Sequence, residues 1–265
     1  MDLVIKKHCL PVAALLSATL TWGMAAQATV IFQTDFESPA YATGVLSGQN
    51  GWNVFGNSAA VTVDSAAPIT GLQSAKVTGS QIGSQTGPFH SDPSAISKVT
   101  VSADILLTSG QAERQWQFSA IGAGLAGFTG GIDIDSGTGS IFAITNGFTT
   151  IGSFSRDTVH RVELLLDYGS EVFGVKLDGA TLASNLAFCG DNGPCNGAPA
   201  GPYDSLIFDT FGSLGDDVGY IDNILVQSTA AVPEPTTSAL LLMGLLGISS
   251  IRRKVLSRQI QQMTC

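Results

Sequence analysis

In Ser140-Ile-Phe-Ala-Ile-Thr-Asn-Gly-Phe-Thr-Thr-Ile-Gly152, two β-branched or aromatic runs flank Asn146-Gly147. This pattern limits the possible folds more than any other stretch. Asn and Gly both tolerate positive φ, so the pair predicts a two-residue hairpin turn between antiparallel strands. Asp178-Gly179, within Lys176-Leu-Asp-Gly-Ala-Thr-Leu182, repeats the device. Residues 97–106 and 114–119 alternate or carry β-branched side chains, the signature of half-buried strands. No stretch of the body holds a long 3.6-residue period. About a dozen short strands with glycine-rich turns predict an all-β fold, an antiparallel two-sheet sandwich or jelly roll.

The two ends follow different rules. Lys6 and Lys7 precede an apolar stretch, CLPVAALLSATLTWGMAA, and then Ala26-Gln27-Ala28. A basic start, a short apolar run and an A-x-A site describe a secretory signal peptide over residues 1–28. A first transmembrane helix is the alternative, disfavoured by Pro11 and the small-residue exit. At the other end, Thr236–Ile251 is an uncharged run of 16 residues followed by Arg252, Arg253 and Lys254. As a helix it spans about 24 Å, and snorkelling basic side chains extend its reach across a membrane. The basic cluster obeys the positive-inside rule. Pro233 and Pro235 keep the preceding backbone extended and open to a protease.

Val232-Pro233-Glu234-Pro235, the apolar helix and Arg252-Arg253-Lys254 together resemble the PEP-CTERM sorting signal of Gram-negative bacteria. The resemblance covers residues 231–254. It implies Sec-type export, an inner-membrane intermediate and exosortase cleavage near Pro-Glu-Pro. Release to the cell surface or extracellular matrix, beside exopolysaccharide, is also implied. Residues 255–265 form a cytoplasmic tail extension that departs from the family's usual ending. A plain membrane anchor is the alternative reading of this segment.

Residues 29–230 remain as one domain, long enough for a substantial core. This body carries six basic residues against nineteen acidic ones, a balance of −13. So acidic a surface repels phosphate backbones, which excludes nucleic acid and leaves divalent cations and neutral sugars as easier partners. Cys189 and Cys195 enclose Gly-Asp-Asn-Gly-Pro, and in an exported chain this spacing reads as a local disulfide. A zinc site would need two further ligands, and His90 and His160 lie far off in sequence.

His160-Arg-Val-Glu-Leu-Leu-Leu-Asp-Tyr-Gly169 followed by Val172-Phe-Gly-Val-Lys-Leu-Asp-Gly179 is similar to the late hairpin of laminin-G-like and concanavalin A-like jelly rolls. Thr34-Asp-Phe-Glu37 and Tyr220-Ile-Asp-Asn-Ile-Leu-Val226 resemble the first and last strands of carbohydrate-binding jelly rolls. In those modules the first and last strands pair and bring their acids to a structural calcium. The resemblance therefore implies calcium at Asp35, Glu37 and Asp222, with carbonyls and water completing the shell. Alternatively these acids face solvent and Phe36 points inward. Sugars are usually held on aromatic platforms, and Trp52 with Tyr41 lies in a loop-rich stretch that could expose them. Core packing is the default for such rings.

Asp133 and Asp135 in Gly130-Gly-Ile-Asp-Ile-Asp-Ser-Gly137 share one strand face. Hydrolysis of a glycosidic bond needs two carboxyl groups. The laminarinase-like arrangement Glu-x-Asp-x-x-Glu is nevertheless missing, and an exposed polar face running into a turn accounts for the pair. His160, heading an amphipathic strand, reads as structural. No nucleophile motif or phosphate loop appears, and no catalytic set is recognised. The expectation is an exported structural or glycan-binding sandwich. A glycan-active hydrolase or lyase on the same fold is the rival, and a ligand-free matrix protein the third class.

Overall fold

The computed structural model describes residues 28–78, 85–108, 114–122, 128–189, 202–212 and 218–229. The signal peptide, the sorting residues Val232, Pro233, Glu234, Pro235, Arg252, Arg253 and Lys254, the apolar helix, the 255–265 extension and Cys195 lie outside them. The residues Gln27–Ala230 form one compact unit.

Sixteen strands run through the described residues. They are β1 (Val30–Thr34), β2 (Gly44–Val45), β3 (Trp52–Phe55), β4 (Val61–Asp64), β5 (Ser74–Thr78), β6 (Gly87–Ser91), β7 (Lys98–Leu107) and β8 (Arg114–Gly122). Then follow β9 (Phe128–Asp135), β10 (Ser140–Ile144), β11 (Phe148–Ser153), β12 (Val159–Asp167), β13 (Val172–Leu177), β14 (Ala180–Ala187), β15 (Tyr203–Gly212) and β16 (Val218–Ser228). All pairings are antiparallel and form two sheets, which is the sandwich the alternation predicts. One sheet has seven strands in the order β11-β10-β9-β8-β15-β6-β3. The other has nine, in the order β14-β13-β12-β7-β16-β5-β4-β2, with β1 added beside β16. The first strand thus pairs with the last, Thr34 opposite Ile224.

The turns follow local chemistry with one difference. Leu177 pairs with Ala180, so Asp178-Gly179 is a two-residue turn, with φ of 51° and 78° as a type I′ hairpin requires. At Asn146-Gly147 the hairpin forms, but Ile144 pairs with Phe148. The turn therefore spans three residues, closed by Thr145 N–H donating to Gly147 O at 3.0 Å. Thr145 has left the ladder, and the pair alone could not set that register.

Each inward face supplies one wall of the core. Val99, Val101, Ala103 and Ile105 of β7 are buried in one cluster with Trp116 and Phe118 of β8 and Ile132 of β9. Close approach of the sheets needs bare backbone at two places. A Cβ on Gly219 of β16 would collide with the Trp116 ring, and one on Gly130 of β9 would sit 2.8 Å from the Phe173 ring. By strand alternation, Gln115, Gln117 and Ser119 then point away from the core, onto the outer face of the seven-stranded sheet.

Candidate functional site

Direct cross-strand partners share a face, so the ladder of the seven-stranded sheet sets its outer face residue by residue. Asp209 of β15 lies opposite Gln117 of β8. Gln117 lies opposite Asp133 of β9, and Asp133 opposite Phe142 of β10. On the other side, Thr86 bridges Thr210, which sets Gly87 of β6 beside Asp209. A Cβ on Gly87 would run into the Asp209 backbone. Gly87 in turn pairs with Phe55 of β3. One transverse row therefore reads Phe55, Gly87, Asp209, Gln117, Asp133, Phe142.

Aromatic pairs close the row at both ends. Phe55 and Phe89 stack with centroids 4.3 Å apart and planes at 24°. Phe142 and Phe148 meet edge to face at 6.4 Å, and Phe148 is exposed. Between them, the centre is withdrawn from water: Asp133 is 1% exposed, Gln117 5% and Asp209 0%. Gln117 donates from Nε2 to Ser119 Oγ at 3.1 Å. Gln85 Nε2 donates to Asp209 Oδ2. Both oxygens of Asp133 and Oδ1 of Asp209 have no hydrogen-bond partner.

A buried carboxylate without partners is costly when ionised. Burial, with the Asp135 charge added and the neighbouring Ile134 N–H opposing, pushes Asp133 up to about 7. Burial also pushes Asp209 up to about 7, opposed by the Gln85 amide and assisted by the Asp133 charge. The site is thus two coupled carboxyls flanking one amide between two aromatic pairs. The unpaired carboxylate oxygens are sealed from solvent, and the part of the row open to a ligand is the Phe142–Phe148 pair, where Phe148 is exposed.

Sequence reasoning singled out one residue of this row, Asp133. It put Asp133 and Asp135 on one exposed strand face; the structure keeps the shared face but buries Asp133, and their roles diverge. Asp135 closes the following turn, its Oδ1 accepting from Gly137 N at 2.8 Å and Thr138 N at 3.2 Å. The partner of Asp133 comes instead from Asp209, which no local pattern announced.

The expected sugar contact at Trp52 and Tyr41 is corrected. Trp52 is 0% exposed and Tyr41 5%. Trp52 Nε1 donates to the Tyr41 hydroxyl at 3.1 Å, and the indole packs against Phe36, Phe32 and His90. These rings fill the core beneath β3 and present no face to a ligand.

The proposed calcium ligands are also redirected. Glu37 Oε1 accepts from Leu72 N at 2.6 Å and Gln73 N at 3.0 Å. Asp222 Oδ2 accepts from Thr70 N, Thr70 Oγ1 and Ser74 Oγ at 3.2, 3.0 and 3.0 Å, and Oδ1 from Asn223 N. Asp35 Oδ1 accepts from Glu37 N. Cations need further oxygen acceptors around the carboxylates, whereas these are ringed by donors. No group of three His, Cys, Asp or Glu side chains among the described residues could hold a metal ion. The acids do not fit a calcium shell; Glu37 and Asp222 secure the segment 70–74 from two sides.

Three further features are structural. His160 Nδ1 lies 2.7 Å from Asp178 Oδ2, and Asp178 Oδ1 accepts from Arg161 N, so the histidine ties its strand to the adjoining turn. Arg161, beside a groove of ≈ 360 Å³ lined by Asp35 and Asn223, spends its guanidinium on Asp104, Ser102 and the Asn223 carbonyl. Cys189 is buried with Sγ 2.9 Å from the Thr145 carbonyl.

Comparisons with known proteins agree with this architecture. Residues 231–254 match the PEP-CTERM protein-sorting motif, which implies exosortase-sorted export. No curated protein matches the chain. Among solved structures, a carbohydrate esterase from the Shiga toxin-encoding bacteriophage phi24B is similar at TM-score 0.55 and 15% identity, covering 77% of this chain and 100% of that one. A sialidase gives TM-score 0.58 and 13% identity over 77% of this chain, which spans only 19% of the sialidase. A protein of unknown function with galectin-like fold from Bacillus subtilis gives 0.50 and 10%, covering 76% and 97% of the two chains. At such identities the likeness is one of fold alone, an antiparallel β-sandwich.

Proposed function

We propose that this chain is an exported, exosortase-processed β-sandwich that binds glycan on the outer face of its seven-stranded sheet. The PEP-CTERM motif at residues 231–254 supports the route. On this reading the Sec-type machinery exports the chain, the inner membrane holds it briefly, and cleavage near Pro233-Glu234-Pro235 delivers it to the cell surface or matrix of a Gram-negative bacterium. Exopolysaccharide is its ligand there, and the Cys189–Cys195 disulfide closes a loop suited to that oxidising space.

One observation carries the binding assignment: the Phe142–Phe148 pair stands at one end of the transverse row with Phe148 exposed. Accessible rings of that kind supply stacking area for a sugar. Affinity electrophoresis of the full-length chain in gels carrying xylan, a mixed-linkage β-glucan or a mannan tests it. Retardation by at least one of these is expected. Phe142→Ala, which removes an aromatic platform worth about 1 kcal/mol, weakens it several-fold. Equal mobility in every gel would contradict the assignment.

A further inference from the structure

We propose that the groove between β1, β12 and β16 is a second contact for an uncharged glycan, so that one chain bridges two polysaccharide strands. The ligand class rests on the glycan-binding reading above. The site lies on the other sheet and has its own residues.

The ladder of the nine-stranded sheet builds the groove. Gln33 of β1 lies opposite Leu225 of β16, and Leu225 opposite Ser102 of β7. Ile224 and Val226 alternate into the core, so Leu225 and its row face outward. Arg161 of β12 lies opposite Asp104 of β7. Together Gln33, Asp35, Arg161, Asn223 and Leu225 line ≈ 360 Å³, within the range of about 300–1,000 Å³ common for small-ligand sites.

One wall is rigid before any ligand arrives. Between Asp222 and Leu225 the pairing with β7 shifts register, and Asn223 takes a φ of 46°. Such bulges re-aim side chains and are over-represented beside functional sites. Asn223 Nδ2 donates to Asp104 Oδ2 at 2.7 Å and to Thr70 Oγ1 at 3.0 Å. Arg161 is fixed by Asp104, Ser102 and the Asn223 carbonyl. Preorganisation of this kind lowers the entropy lost on binding.

The opposite wall carries the groups left for a ligand. Gln33 and Asp35 are both exposed. Asp35 commits Oδ1 to Glu37 N at 3.2 Å, which leaves Oδ2, and no described residue bonds the Gln33 amide. An amide donates and accepts, and a carboxylate accepts; adjacent sugar hydroxyls, which do both, are their complement. Half-buried Leu225 supplies an apolar patch for the C–H face of a ring. Arg161 offsets Asp104 and leaves Asp35 in excess, so anionic sugars are repelled and neutral ones fit.

The first contact, Phe142–Phe148, belongs to β10 and β11 of the seven-stranded sheet. Both contacts lie in the one compact unit. The outer faces of two packed sheets look away from each other, so each contact takes its own polymer strand.

The test follows light scattering as the full-length chain is titrated into xylan, mixed-linkage β-glucan or mannan. With a polysaccharide that retards the chain, scattering rises as strands are bridged. It falls again when excess protein fills the sites singly. Gln33→Ala and Asp35→Ala each weaken the groove about five- to tenfold, as loss of one hydrogen-bonding partner does, and the scattering peak collapses. Both side chains are exposed, so melting midpoints stay near wild type; should Asp35→Ala fold poorly, Gln33→Ala decides alone. Retardation without scattering overturns the second contact and leaves the first standing. Unchanged scattering with Gln33→Ala also overturns it, since bridging then comes from self-association of the chain. Absence of both signals removes the binding reading as well.

Discussion

Trp52→Ala lowers the stability of the sandwich by about 3–5 kcal/mol, the cost typical of deleting a large buried ring. The indole is fully buried, packs against Phe36 and His90, and donates its N–H to the Tyr41 hydroxyl. Truncation opens a cavity beneath β3 and leaves that hydroxyl without its donor, so transfer and cavity terms act together. For a domain near 200 residues the melting temperature falls by roughly 10 °C. Differential scanning calorimetry reads this directly. The companion result separates core from site: folded Trp52→Ala retains wild-type retardation by polysaccharide. A small change in melting point with lost retardation would restore Trp52 as a sugar contact.

The second large effect is a fall in stability as pH rises through the neutral range. Asp133 and Asp209 are both near 7 in the fold, against an ordinary value of 3.8. Between about pH 4 and 7 the unfolded chain has released protons that the native chain still holds, so stability decreases with pH across that window and levels off above it. Below it, carboxylates such as Asp64, held low by the Ala66 N–H and Lys76, act with the opposite sign. Asp209→Asn removes one buried charge, making the variant more stable than wild type at pH 8 and the two similar at pH 4.5. Urea midpoints at pH 4.5, 6 and 8 measure it. Wild-type stability that rises from pH 5 to 8 would contradict the buried pair.

Much of the architecture is legible in local chemistry. Alternating runs such as 97–106 become β7 because one face has a core to fill, and Asp178-Gly179 makes its turn because both positions tolerate positive φ. Side-chain chemistry supplied by distant segments is another matter. The acids Glu37 and Asp222 have the right type for calcium, but their donors come from residues 70–74, which no motif ties to them. Trp52 lies among turns yet folds inward, since Phe36 and Tyr41 from the same segment gather around it. Asp209 escapes notice for the same reason. It becomes the neighbour of Asp133 only once β8 is inserted between β9 and β15, a consequence of sheet order that no window of sequence contains.

The account also joins a route to a destination. A sorting motif implies passage through the envelope, and an acidic body suits a neutral polysaccharide better than an anionic one. The route fails if the chain stays in the membrane with its tail intact. Intact mass of the protein recovered from producing cells and their medium is therefore the most direct test. Loss of residues 1–28 and of everything beyond the Pro-Glu-Pro region is the predicted result. A mature chain that keeps its C-terminus through Cys265 would contradict exosortase processing and leave a simple membrane anchor.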